Sequence, residues 1–385
     1  MLFSKSPEEK LVFLVEIQSS AVRGSLLLLR EEQSPYILFT ASADIPIKAG
    51  STSAYLVKTT LKAVSDTIDM LGRRHHSLLA QPGAVPVPKS VSSVHYVLSS
   101  PWIISQAKTV SIEFPRESAL TKAKVLEIIE TERSKLSLEE TQTEVVEEKI
   151  FDVRINGYSV GAWEDRPAKN VDVSFVVSLS GANLSKRLRE SCEHVVKKSR
   201  VSFHSSLLLE AMGISIAMPE AESFVLVNIH GGLTEVTVVR EKRSVFFGSY
   251  PIGVNTIVSK TAKAAKTDDK AADSLLSMLE TDSIDPTHGK PLQPLVAEVM
   301  QEWCAEFERL SGDAATAGTL PSQTFIAARK HEELFMRYFV AANPKAKAAS
   351  FALDLLKSYV TFDQWTERRR SIGLISIAIN SLKGE

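Results

Sequence analysis

Residues 224–239 are FVLVNIHGGLTEVTVV. Phe224 to Ile229 is an apolar run with Asn228 inside it, Gly231-Gly232 forms a turn after it, and Thr234 to Val239 is a second run rich in β-branched residues. Short apolar runs bounded by turn residues suit buried strands, and a Gly-Gly between two of them makes a hairpin. The turn is chemically unusual, with Asn228 ending the first strand, His230 entering the turn and Glu235 on the return strand. Residues 11–29, LVFLVEIQSSAVRGSLLLL, repeat the order of parts: apolar strand, acid or amide, Ile, three small or polar residues, apolar strand. An internal repeat of this kind argues for two related lobes facing one another.

LVFLVEI, GSLLLLR and YILFTA between Leu11 and Ala41 read as an antiparallel meander, broken by QSSAVR and EEQSP. Ser53 to Leu71 places Leu56, Val57, Leu61, Val64, Ile68 and Leu71 on one helical stripe that packs on the meander. His75-His76 fall at the expected helix end, where they read as cations opposing the helix dipole, since no further metal ligand stands at a suitable spacing. QPGAVPVPKS, residues 81–90, holds three prolines and a glycine and marks a boundary. Beyond it VHYVLSS, KTVSIEF, EVVEEKIFDVRING and VDVSFVVSLS read as strands around a helix near Ser118 to Lys135, a small α+β unit. Trp102, in SSPWIIS, is expected as a packed residue in a turn between strands, and no G-x-S-x-G elbow accompanies its serines.

Helices are then expected over Asn183 to Ser199 and Ser205 to Met212, the second stopped by Gly213. SVFFGSY completes the second meander, and a helix starts near Pro251. Lys260 to Asp285 reads as a mobile helical insertion and Pro294 to Leu310 as a long amphipathic helix. TFIAA, residues 324–328, is a short buried strand, Lys330 to Tyr338 a helix, and TERRRSIGLISIAINSL the last helix.

The bulk numbers exclude several classes. With 385 residues, 44% hydrophobic and 24% charged, the chain suits a soluble globular protein of two or three domains rather than a disordered one. Forty-five basic against 46 acidic residues leave a net charge of −1, so no nucleic-acid partner is expected. Cys192 and Cys304 stand far apart without C-x-x-C spacing, which supports neither zinc nor a disulfide framework and fits a cytoplasmic protein. The apolar run from Leu11 to Ile17 has no cleavage site after it, and no run approaches the ~20 residues of a spanning helix.

This order of parts resembles the actin-like ATPase superfamily, specifically the branch of the bacterial cell-division protein FtsA and the type IV pilus assembly protein PilM. The resemblance implies an α/β, two-lobed actin-like/ribonuclease H-like fold with an inserted α+β subdomain. The corresponding divisions are 1–90, first lobe; 91–180, inserted subdomain; 181–220, return to the first lobe; 221–370, second lobe; and 371–385, closing helix. The family's first phosphate loop, D-[ILV]-G-[ST], corresponds to Glu16-Ile17-Gln18-Ser19-Ser20. Its second, D-[IV]-G-G-G-T-x-D, corresponds to Asn228-Ile229-His230-Gly231-Gly232-Leu233-Thr234-Glu235. The Gly-Gly turn expected against adenosine is replaced by Ala327-Ala328-Arg329-Lys330, while Ile372-Gly373-Leu374 matches the start of the last helix.

The nucleotide-binding set implied by the resemblance is therefore Glu16, Gln18, Ser19, Ser20, Asn228, His230, Gly231, Gly232, Thr234, Glu235 and Gly373, with ATP and Mg²⁺ as cofactors. The departures weaken it. Phosphate loops present consecutive backbone N–H groups, and glycine permits the close approach, so Gln18 and His230 put side chains where phosphate would lie. Mg²⁺ prefers carboxylates; Asn228 removes one, and Glu16 is a methylene longer than aspartate. Metal-assisted phosphoryl transfer depends on positioning and charge neutralisation, so the ATPase chemistry is expected to be reduced or lost, and no catalytic residue or metal ligand is assigned.

The expected function is a cytoplasmic, catalytically degenerate actin-fold scaffold held at the inner membrane face through partners, in type IV pilus, secretion or cell-division assembly. The expected partner is the cytoplasmic tail of a membrane protein or a division or pilus component, with homo-oligomers or filaments formed head to tail. No amphipathic tail follows the final helix, which favours the PilM-like branch; Arg368-Arg369-Arg370 is a basic cluster near phosphates or headgroups, and the acidic stretch 127–149 a solvated face or partner contact. The alternative is an active, nucleotide-switched or polymerising ATPase in which Glu16 and Glu235 supply the acidic groups; a third reading is an unrelated α/β binding protein.

Overall fold

Lys10–Ile17 (β1) is the strand on which the first lobe is built, and it is buried on both faces. Leu11, Phe13, Val15 and Ile17 enter one core and Val12 and Leu14 another, so the unbroken apolar run reflects two layers of cover rather than one. The computed structural model describes residues 9–30, 33–46, 52–81, 85–136, 142–195, 200–316, 318–364 and 366–382.

The first lobe continues with Ala21–Leu29 (β2), Tyr36–Asp44 (β3), Ser53–Ala80 (α1) and Ser93–Leu98 (β4). An inserted sheet follows, made of Ile103–Leu120 (β5), Thr143–Ile155 (β6), Tyr158–Ser159 (β7) and Arg166–Gly181 (β8), in the order β5-β8-β6-β7, with Lys122–Arg133 (α2) on it. Ala182–Ser191 (α3), Arg200–Ser205 (β9) and Ser206–Ala217 (α4) return the chain to the first lobe. The second lobe holds Phe224–Ile229 (β10), Thr234–Arg240 (β11), Arg243–Tyr250 (β12), Val254–Ala265 (α5), Asp269–Glu280 (α6), Pro286–Ala315 (α7), Gln323–Ala328 (β13), Glu332–Ala342 (α8) and Lys347–Ser350 (β14). Thr361–Phe362 (β15) rejoins the first sheet and is followed by Arg370–Ser381 (α9).

The two lobes repeat one topology. The first sheet runs β15-β3-β2-β1-β4-β9 and the second β12-β11-β10-β13-β14. In each, the first three strands in sequence pair antiparallel and two more add in parallel beside the first of them; the first sheet also carries β15, parallel to β3, at its other edge. α4 and α9 lie between the sheets in a core that takes Val12 and Leu14 from one and Phe224 and Leu226 from the other. A Cβ on Gly213 of α4 would stand 2.4 Å from the Leu374 carbonyl oxygen of α9, so this glycine lets two helix backbones touch.

Several expectations change. Gly213 does not stop a helix but lies inside one that runs to Ala217. α1 continues to Ala80, so His75 and His76 are not at its end; His75 is buried and hydrogen-bonds the Pro88 carbonyl. Ser93–Leu98 pairs with β1, which moves the start of the inserted sheet from residue 91 to Ile103. Ser118 to Leu120 ends a strand rather than beginning a helix, α3 ends at Ser191, and residues 196–199 lie outside those described. The helix expected near Pro251 begins at Val254, Lys260 to Asp285 contains the end of one helix and all of α6, and α7 extends well beyond Pro294 to Leu310. Arg370 is not a free surface cation: it pairs with Glu332, as Arg369 does with Glu367.

Candidate functional site

The β1–β2 and β10–β11 turns meet between the lobes, at equivalent ends of the duplicated sheets. Glu16 faces Arg23 across its hairpin as Asn228 faces Glu235 across the other. Each hairpin thus carries a polar pair in a buried strand, where burial without a partner would be costly. Glu16, Gln18, Arg23, Asn228, His230 and Glu235 are all buried.

On the first side, the Gln18 side-chain amide donates to Glu16, and the Arg23 guanidinium lies 3.8 Å from the other Glu16 oxygen. On the second, the His230 Nε2–H donates to Glu235 at 2.7 Å. The other Glu235 oxygen accepts the backbone N–H of Ser100, in the first lobe, at 2.7 Å. The turns also touch directly: the Gly232 N–H donates to Ser19 Oγ at 3.2 Å, and a Cβ on Gly231 would stand 2.3 Å from Ser20 Oγ. The amides that open α5 are taken as well, Val254 N–H by the His230 carbonyl at 3.0 Å and Asn255 N–H by that of Gly231 at 2.7 Å.

The electrostatics follow from this burial. Glu210 of α4 is 3% exposed, and burial together with the charge of Glu16 pushes its carboxyl up to about 7, against hydrogen bonds from Asn228 and Ser206 and the charge of His230. For His230, burial disfavours the charged ring, but the hydrogen bond to Glu235 and the charges of Glu235, Glu210 and Glu16 together raise its pKa above the ordinary value.

Nine expected residues are gathered here: Glu16, Gln18, Ser19, Ser20, Asn228, His230, Gly231, Gly232 and Glu235. Thr234 lies beneath them as a structural group, donating to the Ile252 carbonyl and accepting the Trp303 indole N–H. Gly373 does not join them; a Cβ there would meet Leu356, Phe362 and Val360. Trp102 is buried as expected, yet its indole N–H also donates to the Gln18 carbonyl at 3.1 Å. Arg23, Ser100 and Glu210 were missed. The signal for two of them was a lone charge within an apolar run, Arg23 in AVRGSLLLL and Glu210 in SLLLEAMGISIA.

A chain of the PilM–PilN type IV pilus biogenesis complex superposes with a TM-score of 0.63 at 12% identity, over 97% of this chain and 98% of that one. The fold is that of the actin-like ATPases. The ethanolamine utilization protein EutJ from Carboxydothermus hydrogenoformans aligns at 10% identity and TM-score 0.44, over 97% of this chain and 90% of that one. Component A of the Acidaminococcus fermentans (R)-2-hydroxyglutaryl-CoA dehydratase matches at 8% identity and TM-score 0.43, over 97% and 99% of the two chains. No family model and no curated protein matches the sequence.

The residues of this actin-like cleft fit a nucleotide's phosphates poorly. The loop amide of Gly232 that would face an anion is already bonded to Ser19, and the two turns stand in contact. For a cation, no group of three or more His, Cys, Asp or Glu among the described residues could hold a metal ion; Asn228 Oδ1 and Glu16 Oε2 are buried oxygens without a hydrogen bond, but the latter lies 3.8 Å from the Arg23 guanidinium.

Proposed function

We propose that this chain is an actin-fold scaffold that works without turning over nucleotide, recruited to a membrane by a segment of a membrane protein in a type IV pilus or related secretion assembly. The observation that carries the first half is the hydrogen bond from Gly232 to Ser19, which satisfies within the protein an amide that a phosphate loop would keep for its ligand. The superposition on a chain of the PilM–PilN type IV pilus biogenesis complex supports the second half. No helix among the described residues is long and apolar enough to cross a membrane.

Calorimetric titration with ATP and Mg²⁺ tests it. No saturable heat is expected from the wild type, whereas Asn228→Asp combined with His230→Gly restores the expected carboxylate and opens the turn, and should gain binding. Saturable binding by the wild type would refute the nucleotide-independent reading. The partner half fails if the tagged protein recovers no pilus or secretion component from native membranes.

A cation-dependent reading rests on two buried oxygens that accept no hydrogen bond, Asn228 Oδ1 and Glu16 Oε2, the cation displacing Arg23 from its position 3.8 Å from Glu16. Titration with Mg²⁺ alone decides it, and heat that disappears in Glu16→Gln would support it.

A further inference from the structure

We propose that Glu235 and Trp102 couple the interlobe cleft to the inserted sheet, so that a rearrangement of the second lobe's turn reaches the strands by which that sheet leaves and re-enters the first lobe. This goes beyond the scaffold reading and holds with or without a partner.

The connection is a run of buried and part-buried hydrogen bonds of 2.7 to 3.1 Å. It begins in the second lobe, where the His230 ring donates to Glu235 at 2.7 Å. Glu235 crosses to the first lobe by accepting Ser100 N–H at 2.7 Å. Ser100 belongs to the link between β4 and β5, whose shape is held by Ser99 N–H on the Ile17 carbonyl and Trp102 N–H on the Ser99 carbonyl, both at 3.0 Å. The Trp102 indole then donates to the Gln18 carbonyl at 3.1 Å, tying the link back to the first turn. On its other side the Trp102 carbonyl accepts Ser180 Oγ–H at 2.8 Å. Ser180 is near the end of β8 and pairs with Ile103 at the start of β5.

One tryptophan therefore touches the first turn, the outgoing link and the returning strand. Ser99, Ser180 and Glu235 are at most 2% exposed and Trp102 is 9% exposed, so water offers few substitutes when one bond moves. The inserted sheet also meets the second lobe at the surface, through Arg154 and Glu241 at 2.8 Å and Arg243 and Asp152 at 3.3 Å. Those pairs are more exposed and screened by solvent, which makes them the natural control.

The test is amide hydrogen exchange read by mass spectrometry on the full chain. Glu235→Gln perturbs the cleft and is read at residues 103–107 and 176–181; Ser180→Ala perturbs the root of the sheet and is read at residues 229–233. Trp102→Phe keeps an aromatic ring but removes the indole donor, and should affect both regions. At least threefold faster exchange at the distant segment is expected in each case, with no such change in Arg154→Ala. Changes confined to the mutated loop, or an equal response to Arg154→Ala, would overturn the proposal. If Trp102→Phe fails to fold, the reciprocal pair Glu235→Gln and Ser180→Ala decides it. An ATP titration of the same variants reports separately on the nucleotide-independent reading.

Discussion

Replacing Glu210 by Gln should stabilise the protein in alkaline solution and do little in acid. Glu210 is buried between the sheets, hydrogen-bonded by Ser206 Oγ at 2.9 Å, and its carboxyl is pushed up to about 7 from an ordinary 4.5. A raised acid pKa means that the folded protein holds a proton the unfolded chain has already released. Stability from this group is therefore complete below about pH 4.5 and is lost as pH rises through about 7. At ~1.4 kcal/mol per unit, the loss across that window reaches about 3 kcal/mol. Glutamine is close in shape to the protonated acid, keeps an acceptor for Ser206 and cannot ionise. Urea denaturation of both proteins from pH 4 to pH 8 should give curves that nearly coincide in acid and separate by about 3 kcal/mol at pH 8, the variant being more stable. Parallel pH profiles would refute the reasoning, because they would show that Glu210 is ionised, and paired, in the folded state.

Other outcomes follow from the packing. Gly213→Ala forces apart α4 and α9, since its Cβ would lie 2.4 Å from the Leu374 carbonyl oxygen; about 2 kcal/mol of destabilisation is expected in urea. A stabilised variant would show that helix propensity, which favours alanine, outweighs the contact. His95 has its pKa lowered to about 3 by burial and by the charges of His204 and Arg200, so its contribution is complete above about pH 6.5 and is lost as pH falls. His95→Gln should flatten the acid limb of the stability profile by ~1.4 kcal/mol per unit between about pH 6 and pH 4, and an unchanged slope would exclude the assignment.

How much of this was legible in the sequence depended on how local the cause was. The two hairpins were legible because each strand's apolar run and turn residues lie in one segment, and the repeat of one topology followed from them. Arg200–Ser205 was not, because RVSFHS has little apolar character of its own and becomes a strand by pairing with β4. Gly213 was misread for the same kind of reason: a glycine in an apolar helix has the same local appearance whether it stops the helix or admits a neighbour, and the neighbour, Leu374, lies far along the chain. Trp102 was placed correctly as a packed residue, but its bonds to Gln18 and Ser180 join segments that no local pattern relates.

The buried charges of the interlobe cleft form a consistent set, which argues against reading its residues one at a time. Three buried carboxyl groups, on Glu16, Glu210 and Glu235, face two buried bases, Arg23 and His230. A buried cluster is tolerable only near neutrality, and here that is reached when Glu210 holds its proton and His230 is charged, the directions in which both pKa values are displaced. In the loop pattern that the sequence resembles, the aspartate at position 228 would add another negative charge, and the glycine at 230 would supply no positive one. Asn228 withdraws the charge and His230 adds its opposite, so the two changes together supply internally the balance that a divalent cation would otherwise provide. Restoring Asp at 228 alone should therefore leave uncompensated negative charge and cost stability in the absence of Mg²⁺, recoverable by adding the cation. A variant as stable as the wild type without Mg²⁺ would show that the cleft tolerates the extra charge and that the two substitutions are independent.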